Sequence, residues 1–403
     1  MNVIRRGAYI LGVMLAVAGS LAAQDQSSTR VVISGFAMMD MGYQTKQNDP
    51  LWFDVLRPTK LPAFKDEFGA DGHTFASVRQ SRLGVQTFTS TSLGELFTNF
   101  EFDMYGTGAD AGQTTIRLRH AWGQLGKFGA GQSNTPFMDI DLFPNSIEYW
   151  GPNGMVFFRN VQLRWTPLDK DGTNIQVALE RPGGSADQGI YTGRVELSGV
   201  SGKFPLPDIS MHYRRATGFG HVQIAGIYRR IEWHDNGDDA LELGGAANAW
   251  GVNLTTNVKL GPHILRAGVV YGEGIENYMN DAPVDIGIKD NGGDPVTPFL
   301  GEALPVVGVT AFIDLNWNER YTSTIGYSRV QITNSDAQTP DAFRTGQYAL
   351  ANVLVHPLPN FFFGPEIQWG QRDNNKDSFT SNDVRIQFSA KYNFKQQFGA
   401  TTP

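Results

Sequence analysis

The C-terminal stretch 383–394 constrains the fold of this chain more than any other segment. From Val384 to Phe394, every second side chain is apolar or aromatic and every side chain between them is polar. A period of two is that of a β-strand with one apolar face and one polar face. The closing aromatic pair Tyr392 and Phe394 also suits a girdle at a lipid interface. The segment therefore predicts a strand of either a soluble sandwich or a membrane-spanning barrel.

The same alternation recurs along the whole chain, for example from Val307 to Trp317, where apolar residues occupy every second position. Because the pattern is interrupted by polar, glycine-rich stretches, it indicates many short strands and an all-β protein. The segments that alternate in this way lie at about 31–44, 75–89, 94–106, 114–126, 127–134, 155–166, 174–181, 208–216, 219–234, 247–260, 263–274, 306–318, 321–332, 346–357, 361–373 and 383–394.

The connections between these segments alternate in length, which separates the two architectures. Short joins, such as Ser92–Leu93 and Gly261–Pro262, alternate along the chain with long polar stretches, such as 182–207 and 275–305. Outer-membrane barrels sort their connections into short periplasmic turns and long external loops, whereas a sandwich has no reason to do so. The sequence predicts an all-β, sixteen-stranded antiparallel transmembrane β-barrel with long extracellular loops and short periplasmic turns.

The first residues have the form of an export signal. Arg5 and Arg6 precede a short apolar core, and small residues near Ala22 form a cleavage site. Later apolar runs are too short to span a membrane as helices. We therefore expect the mature protein in the bacterial outer membrane, in contact with its lipid. The predicted organisation is a signal peptide at 1–22, a short periplasmic segment at 23–30, a barrel domain at 31–394 and a C-terminal tail at 395–403.

Composition excludes several classes of function. The chain has no cysteine, so it has no disulfide, iron–sulfur cluster or thiol nucleophile. Its net charge of −7 argues against nucleic acid as a partner, because phosphate binding needs a basic surface. We find no catalytic motif and no metal-binding spacing of histidines, and so we predict no enzyme, no cofactor and no metal. The acidic stretches 235–242 and 290–294 have ligands suited to Ca²⁺, but they fit solvated loop charge better.

Strand parity indicates which side chains face the lumen. Because Leu83 and Val85 are placed on the lipid face, Arg82 and Gln80 face inward, and a charge on the lipid face would cost about 2–4 kcal/mol. The same rule applied to the following strands gives the predicted pore-lining set, which is Arg82, Arg117, Arg119, Arg164, Asn160 and Gln162. Arg79 has the opposite parity, which predicts a position near the outer rim or at a subunit contact.

Two interpretations of these arginines remain open. Guanidinium binds carboxylate bidentately, so an arginine ladder suits a channel for small anions. Lumenal acids such as Glu101 and Asp103 also point inward, however, and would instead make the arginines part of a structural ion-pair network.

The connection 132–153 is the expected constriction loop. It combines prolines, acids and aromatics, unlike a solvated Gly/Ser loop. Its acids Asp139, Asp141 and Glu148 are expected to oppose the wall arginines across the pore. The alternative is that the loop packs over the barrel mouth without narrowing it.

Three stretches resemble the DcaP-like family of trimeric outer-membrane transporters. They are RQSRLGVQT from Arg79, IRLRHAWGQLGKFGAGQSNTPFMD from Ile116 and YWGPNGMVFFRNVQLRW from Tyr149. The resemblance implies a sixteen-stranded porin that prefers small anionic substrates, dicarboxylic acids among them, and a constriction loop that folds into the lumen. It also implies a homotrimer, which agrees with small and apolar outer residues such as Val32, Ala37, Met39 and Ala390.

The sequence thus predicts a passive diffusion channel for small anionic solutes such as (di)carboxylates. Two alternatives remain: a structural or adhesive barrel, which would have a filled lumen, and an outer-membrane enzyme, which would need a Ser and His pair near a girdle. Sixteen strands generally enclose a water-filled channel, and this favours the channel.

Overall fold

The computed structural model describes residues 29–193 and 195–399. The predicted signal peptide at 1–22 and all but the end of the predicted segment 23–30 lie outside the described residues. No helix in the described part of the chain is long and apolar enough to span a membrane.

Twenty-one strands run through the described residues, and every one of them has a partner strand. Their bounds are β1 (Thr29–Gln44), β2 (His73–Ser77), β3 (Arg82–Thr91), β4 (Gly94–Tyr105), β5 (Thr114–Leu125), β6 (Phe128–Asn134), β7 (Arg159–Lys170), β8 (Thr173–Glu180), β9 (Ala186–Asp187), β10 (Val200–Lys203), β11 (Asp208–Thr217), β12 (Gly220–Asp235), β13 (Gly245–Leu260), β14 (His263–Glu273), β15 (Ile286–Asp290), β16 (Phe299–Ala303), β17 (Pro305–Asn316), β18 (Tyr321–Ile332), β19 (Phe343–Leu358), β20 (Phe361–Asn374) and β21 (Thr380–Phe398).

Sixteen of these strands form a closed barrel. Each pairs with the next long strand in antiparallel register, and β21 returns to pair with β1, for example at Met39↔Ala390. On its other edge, β1 pairs with β3, for example at Phe36↔Arg82. Closure leaves no free sheet edge, as a membrane-spanning sheet requires. The predicted sixteen-stranded antiparallel barrel is confirmed.

The five remaining strands lie at the ends of the barrel. The short strand β2 extends β3 by pairing with β1, and β10 pairs with the end of β12. Strands β9, β15 and β16 form a separate small sheet in the long loops. The described chain has no α-helix, and its short 3-10 helices are Pro50–Trp52, Pro58–Lys60, Gly108–Asp110, Ile140–Leu142, Gly189–Tyr191, Val195–Gly199 and Glu276–Tyr278.

Side-chain exposure along β21 shows that the barrel has an apolar outer face and a polar inner face. Ile386 and Phe388 on the outer face are 53% and 42% exposed, whereas the inward Arg385, Gln387 and Ser389 are fully buried. Outward apolar side chains gain by contact with lipid, and the inward polar groups bond to one another or to loops in the lumen. Gln387, for example, donates to Asp40 across the sheet at 3.1 Å.

Three predictions from parity or boundaries were wrong. The last strand continues to Phe398, paired with Val31, so the barrel extends four residues into the predicted tail. Val32, expected on the outer face, points inward and is 3% exposed. Arg79, expected at the rim, is 1% exposed and pairs with Asp54 at 2.7 Å, because the turn between β2 and β3 interrupts the pleat and resets the alternation.

Candidate functional site

Three loops fold into the barrel and narrow its lumen. We call them loop A (residues 45–72), loop B (135–158) and loop C (274–285). Loop B corresponds to the predicted constriction loop 132–153, although its first three predicted residues belong to β6 and the chain rejoins the wall only at Arg159.

Loop B crosses the lumen to the far wall. Its backbone oxygens at Phe137 and Met138 accept hydrogen bonds from inward side chains of β13 and β12, at 2.9 and 3.0 Å. Farther along, the Asn145 N–H donates to Asp314 of β17 at 3.1 Å, and the Ile147 N–H donates to Glu366 of β20 at 2.9 Å. Because lumenal side chains satisfy its backbone, the loop is fixed inside the barrel.

Loop A enters the same space, although only loop B was predicted to do so. Its apolar residues Val55, Leu56 and Leu61 are at most 1% exposed. Leu56 and Leu61 pack against Phe312 and Tyr348 on the inner wall. The signal available in the sequence was the apolar run LWFDVL that begins at Leu51, which is unusual for a solvated external loop.

The three loops hold one another in place. The Leu56 N–H of loop A donates to Glu148 of loop B at 3.2 Å. Arg57 of loop A pairs with Asp281 of loop C at 2.8 Å, and its guanidinium lies 4.0 Å from the ring centre of Trp150 in loop B. The constriction is therefore one assembly of three loops.

Two of the three loop acids, Asp139 and Asp141, do not oppose the predicted wall arginines. Asp139 accepts from Arg214 at 3.0 Å and from His221 at 2.7 Å, and Asp141 also pairs with Arg214. Glu148 is 2% exposed and bonded within the loop assembly. The predicted arrangement is wrong for Asp139 and Asp141, because loop B reaches strands β11 and β12 and places these two acids against Arg214 and His221. Glu148, in contrast, lines the same cavity as Arg82, Arg117 and Arg119.

The cluster of Asp139, Asp141 and His221 brings three potential metal ligands within 4.8 Å of one another. Arg214 lies among them as a fixed positive charge, and Thr255 donates to Asp139 at 2.7 Å. Those contacts lower the pKa of Asp139 although burial alone would raise it, with the hydrogen bonds from His221 and Thr255 as the main causes. The cluster is thus a satisfied ion-pair network that fastens loop B.

Two of the predicted wall arginines are held by acids of the adjacent strand. Arg117 pairs with Asp103 at 2.7 Å, and Arg119 pairs with Asp103 at 2.9 Å and with Glu101 at 2.6 Å. Arg82 lies 3.6 Å from Glu101. The ion-pair network that the sequence left open as an alternative is therefore present.

The remaining predicted pore residues lie apart from these three arginines. Arg164 bonds to Gln162 at 3.0 Å and stacks over Trp122. Gln162 donates to the Ser133 oxygen at 3.1 Å, and Asn160 donates to the Arg181 oxygen at 2.8 Å. All three face inward as parity predicts, but they brace β6 and β7 and do not line the central cavity.

The central cavity has a volume of about 690 Å³ and lies between the loop assembly and strands β3, β5 and β7. Six of its lining side chains are cationic: Arg57, Arg82, Arg117, Arg119, Arg159 and Lys391. Arg159 and Lys391 have no carboxylate within 4 Å in the described chain, and Nη1 of Arg159 is buried without a hydrogen-bond partner. Arg159 was not among the predicted pore residues, since its parity is opposite to that of Asn160 and Arg164.

Only two carboxyl groups line this cavity among the described residues, Glu148 and Glu276. Burial raises the pKa of Glu148 to about 7, against the opposing effect of Arg385. Burial also raises the pKa of Glu276 well above its usual range, and neither of its oxygens has a hydrogen-bond partner. Both groups therefore carry less negative charge than their number suggests, and the cationic side chains that line the cavity outnumber its carboxyl groups.

The fold is similar to that of several solved channels. The outer membrane channel DcaP of Acinetobacter baumannii has a TM-score of 0.75 at 20% identity, with 91% of this chain and 98% of that chain covered. An anion-selective porin from Comamonas acidovorans has a TM-score of 0.55 at 10% identity, covering 91% and 100%. OmpT of Vibrio cholerae has a TM-score of 0.54 at 11% identity, covering 92% and 99%. No curated protein matches the chain.

A closed sixteen-stranded barrel whose lumen is narrowed by inward loops defines an outer-membrane porin. Residues 71–394 match the DcaP outer membrane protein family. Because this match covers most of the chain, the protein belongs to that family, as the three sequence stretches predicted, and it is located in the outer membrane.

Proposed function

We propose that this porin is a passive diffusion channel that prefers small anionic solutes such as mono- and dicarboxylates. The observation that carries the proposal is the charge of the central cavity, where six cationic side chains meet two buried carboxyl groups of raised pKa. A positive, partly desolvated constriction attracts anions and raises their local concentration.

Within this set, we assign the direct contacts with the solute to the cations with the least compensation. Arg159 and Lys391 have no ion-pair partner in the described chain, and Arg82 has only a distant one at 3.6 Å. Arg117 and Arg119 donate most of their hydrogen bonds to Asp103 and Glu101. They therefore contribute mainly to the electrostatic potential of the cavity. Guanidinium and ammonium donors around one cavity suit a carboxylate, which accepts from several donors at once.

The structural alternative is a barrel whose lumen is filled. Three loops do enter this lumen, but a cavity of about 690 Å³ stays open between them and the wall. That space is large enough for a small carboxylate and its water, which supports transport over a purely structural role.

Current block by a matched pair of solutes tests the preference. Succinate and its neutral diamide succinamide differ in charge but little in size. We expect succinate to reduce the chloride current through single channels in planar bilayers at concentrations where succinamide has little effect. Equal block by both compounds would contradict an anion preference.

We also propose that the protein assembles as a homotrimer. Ala37 and Met39 on the outer face of β1 and Ala390 on β21 form a neighbouring patch of small and apolar side chains, and one of the related OmpT structures of Vibrio cholerae is described as a trimer form. Light scattering in mild detergent is expected to give three chains per particle, and a monomeric mass would contradict the proposal.

A further inference from the structure

A second cavity, of about 370 Å³, lies outside the pore among the long loops. It is bounded by the end of β12, by β10 and by the small sheet of β9, β15 and β16. Its volume falls in the range of small-molecule sites.

Two apolar clusters line this cavity. One wall contains Leu197, Leu243 and Phe299, and the other contains Ile231 and Trp233. Between them lies space that no side chain fills. An apolar body placed there would lose contact with water and gain contact with both walls, and each Å² of apolar area so removed from water is worth roughly 25 cal/mol.

Close backbone packing fixes the aromatic part of these walls. A Cβ atom on Gly301 would lie 2.6 Å from the Trp233 ring, so this ring occupies the space that only glycine leaves free. The Trp233 indole N–H donates to the Leu243 oxygen at 3.0 Å, which sets the orientation of the ring. Phe204 completes the rim and is 37% exposed. The packing of the fold therefore fixes the aromatic side of the cavity.

The charged side chains that line this cavity are acidic, whereas most of those that line the pore are basic. Its charged lining residues in the described chain are Asp187 and Glu232, both acids, and no lysine or arginine lines it. Arg230 donates to Glu232 at 2.9 Å from outside the cavity, and the Glu232 side chain remains 21% exposed. The faces of Trp233 and Phe204 also attract cations.

We propose that this cavity binds a small organic cation with an aromatic or similarly apolar body, such as an aryl-alkyl ammonium. The apolar part lies between the two clusters, and the ammonium group is directed to Glu232. This site is separate from the pore and does not depend on the proposed anion preference.

Phenethylammonium and 3-phenylpropionate are suitable probes, because they share a phenyl ring and a short chain and differ in charge. Binding is measured on the full chain in a zwitterionic detergent by calorimetry and saturation-transfer NMR. We expect saturable binding of the cation and at least tenfold weaker binding of the anion. Glu232→Gln and Phe204→Ser are each expected to weaken cation binding three- to tenfold and to leave the channel conductance unchanged.

Glu302→Gln is the matched control. Glu302 lies on β16 of the small sheet that bounds the cavity, pairs with Lys289 at 3.4 Å and does not itself line the cavity. This variant should bind the cation as the wild type does. The proposal is overturned if the wild type shows no saturable binding, if the anion binds as tightly, or if Glu232→Gln and the control behave alike. If Phe204→Ser does not assemble, the comparison of cation binding by Glu232→Gln and by Glu302→Gln tests the proposal.

Discussion

The buried carboxylate of Glu148 accepts a hydrogen bond from the backbone N–H of Leu56 at 3.2 Å, across 92 residues of sequence. Leu56 is fully buried and Glu148 is 2% exposed. This bond joins loop A to loop B inside the barrel. The width of the pore is thus set by contacts between loops as well as by the number of strands.

The stability of this junction should depend on pH through Glu148. Its pKa is raised from 4.5 to about 7 in the folded protein, so the folded state binds a proton that the unfolded chain has released. The contribution is complete below pH 4.5 and is lost as the pH rises through about 7. It amounts to on the order of 3 kcal/mol at most.

Thermal unfolding at a fixed scan rate tests this dependence. We expect the apparent Tm of the wild type to fall between pH 5 and pH 8 relative to that of Glu148→Gln, whose side chain is always neutral. If the Tm of the two proteins changes with pH in the same way, the charge of Glu148 does not affect the stability of the folded protein.

Arg57 is expected to lock loop A to loop C. Its guanidinium pairs with the fully buried Asp281 and stacks near Trp52 and Trp150. Arg57→Ala should loosen the assembly and raise single-channel conductance and current noise, because removing one partner of a buried ion pair typically costs about 3–5 kcal/mol. Lys46→Ala is the control, since it removes an exposed pair with Asp71. If both variants conduct like the wild type, Arg57 does not hold the constriction.

Replacing Arg117 and Arg119 by serine should shift selectivity toward cations. The change removes two positive charges and also leaves Asp103 and Glu101 without their partners. Adding Asp103→Asn should restore part of the anion preference and part of the lost stability. The shift should shrink at 1 M salt, where the Debye length is about 3 Å. If the double variant has the same reversal potential as the wild type, these arginines have only a structural role.

Most of the barrel could be predicted because its physics is local. The alternation of apolar and polar residues identifies each strand and the side chains that face inward. The length of each connection identifies it as a periplasmic turn or an external loop. The pairing of Arg117 with Asp103 was also within reach, since the two residues lie directly opposite each other on β5 and β4. Parity failed where the pleat is broken: at Arg79 in the turn before β3, and at Arg159, the first residue of β7.

The loop assembly could not be predicted in the same way. A loop has no period, so its destination depends on contacts that are distant in sequence. Asp139 was expected opposite the early arginines, yet it bonds to Arg214 and His221, which lie more than seventy residues later. Such partners depend on the path of loop B across the lumen, and the sequence contains no local signal for that path.

The central claim is that uncompensated cations at the constriction select anions, and the reversal potential in a KCl gradient tests it most directly. We predict that the wild type prefers chloride and that Arg159→Gln combined with Lys391→Gln moves the reversal potential toward zero. The control Lys259→Gln with Arg320→Gln removes the same charge from exposed positions outside the cavity and should retain the wild-type value. A wild-type channel that prefers potassium, or a cavity variant with an unchanged reversal potential, would contradict the claim.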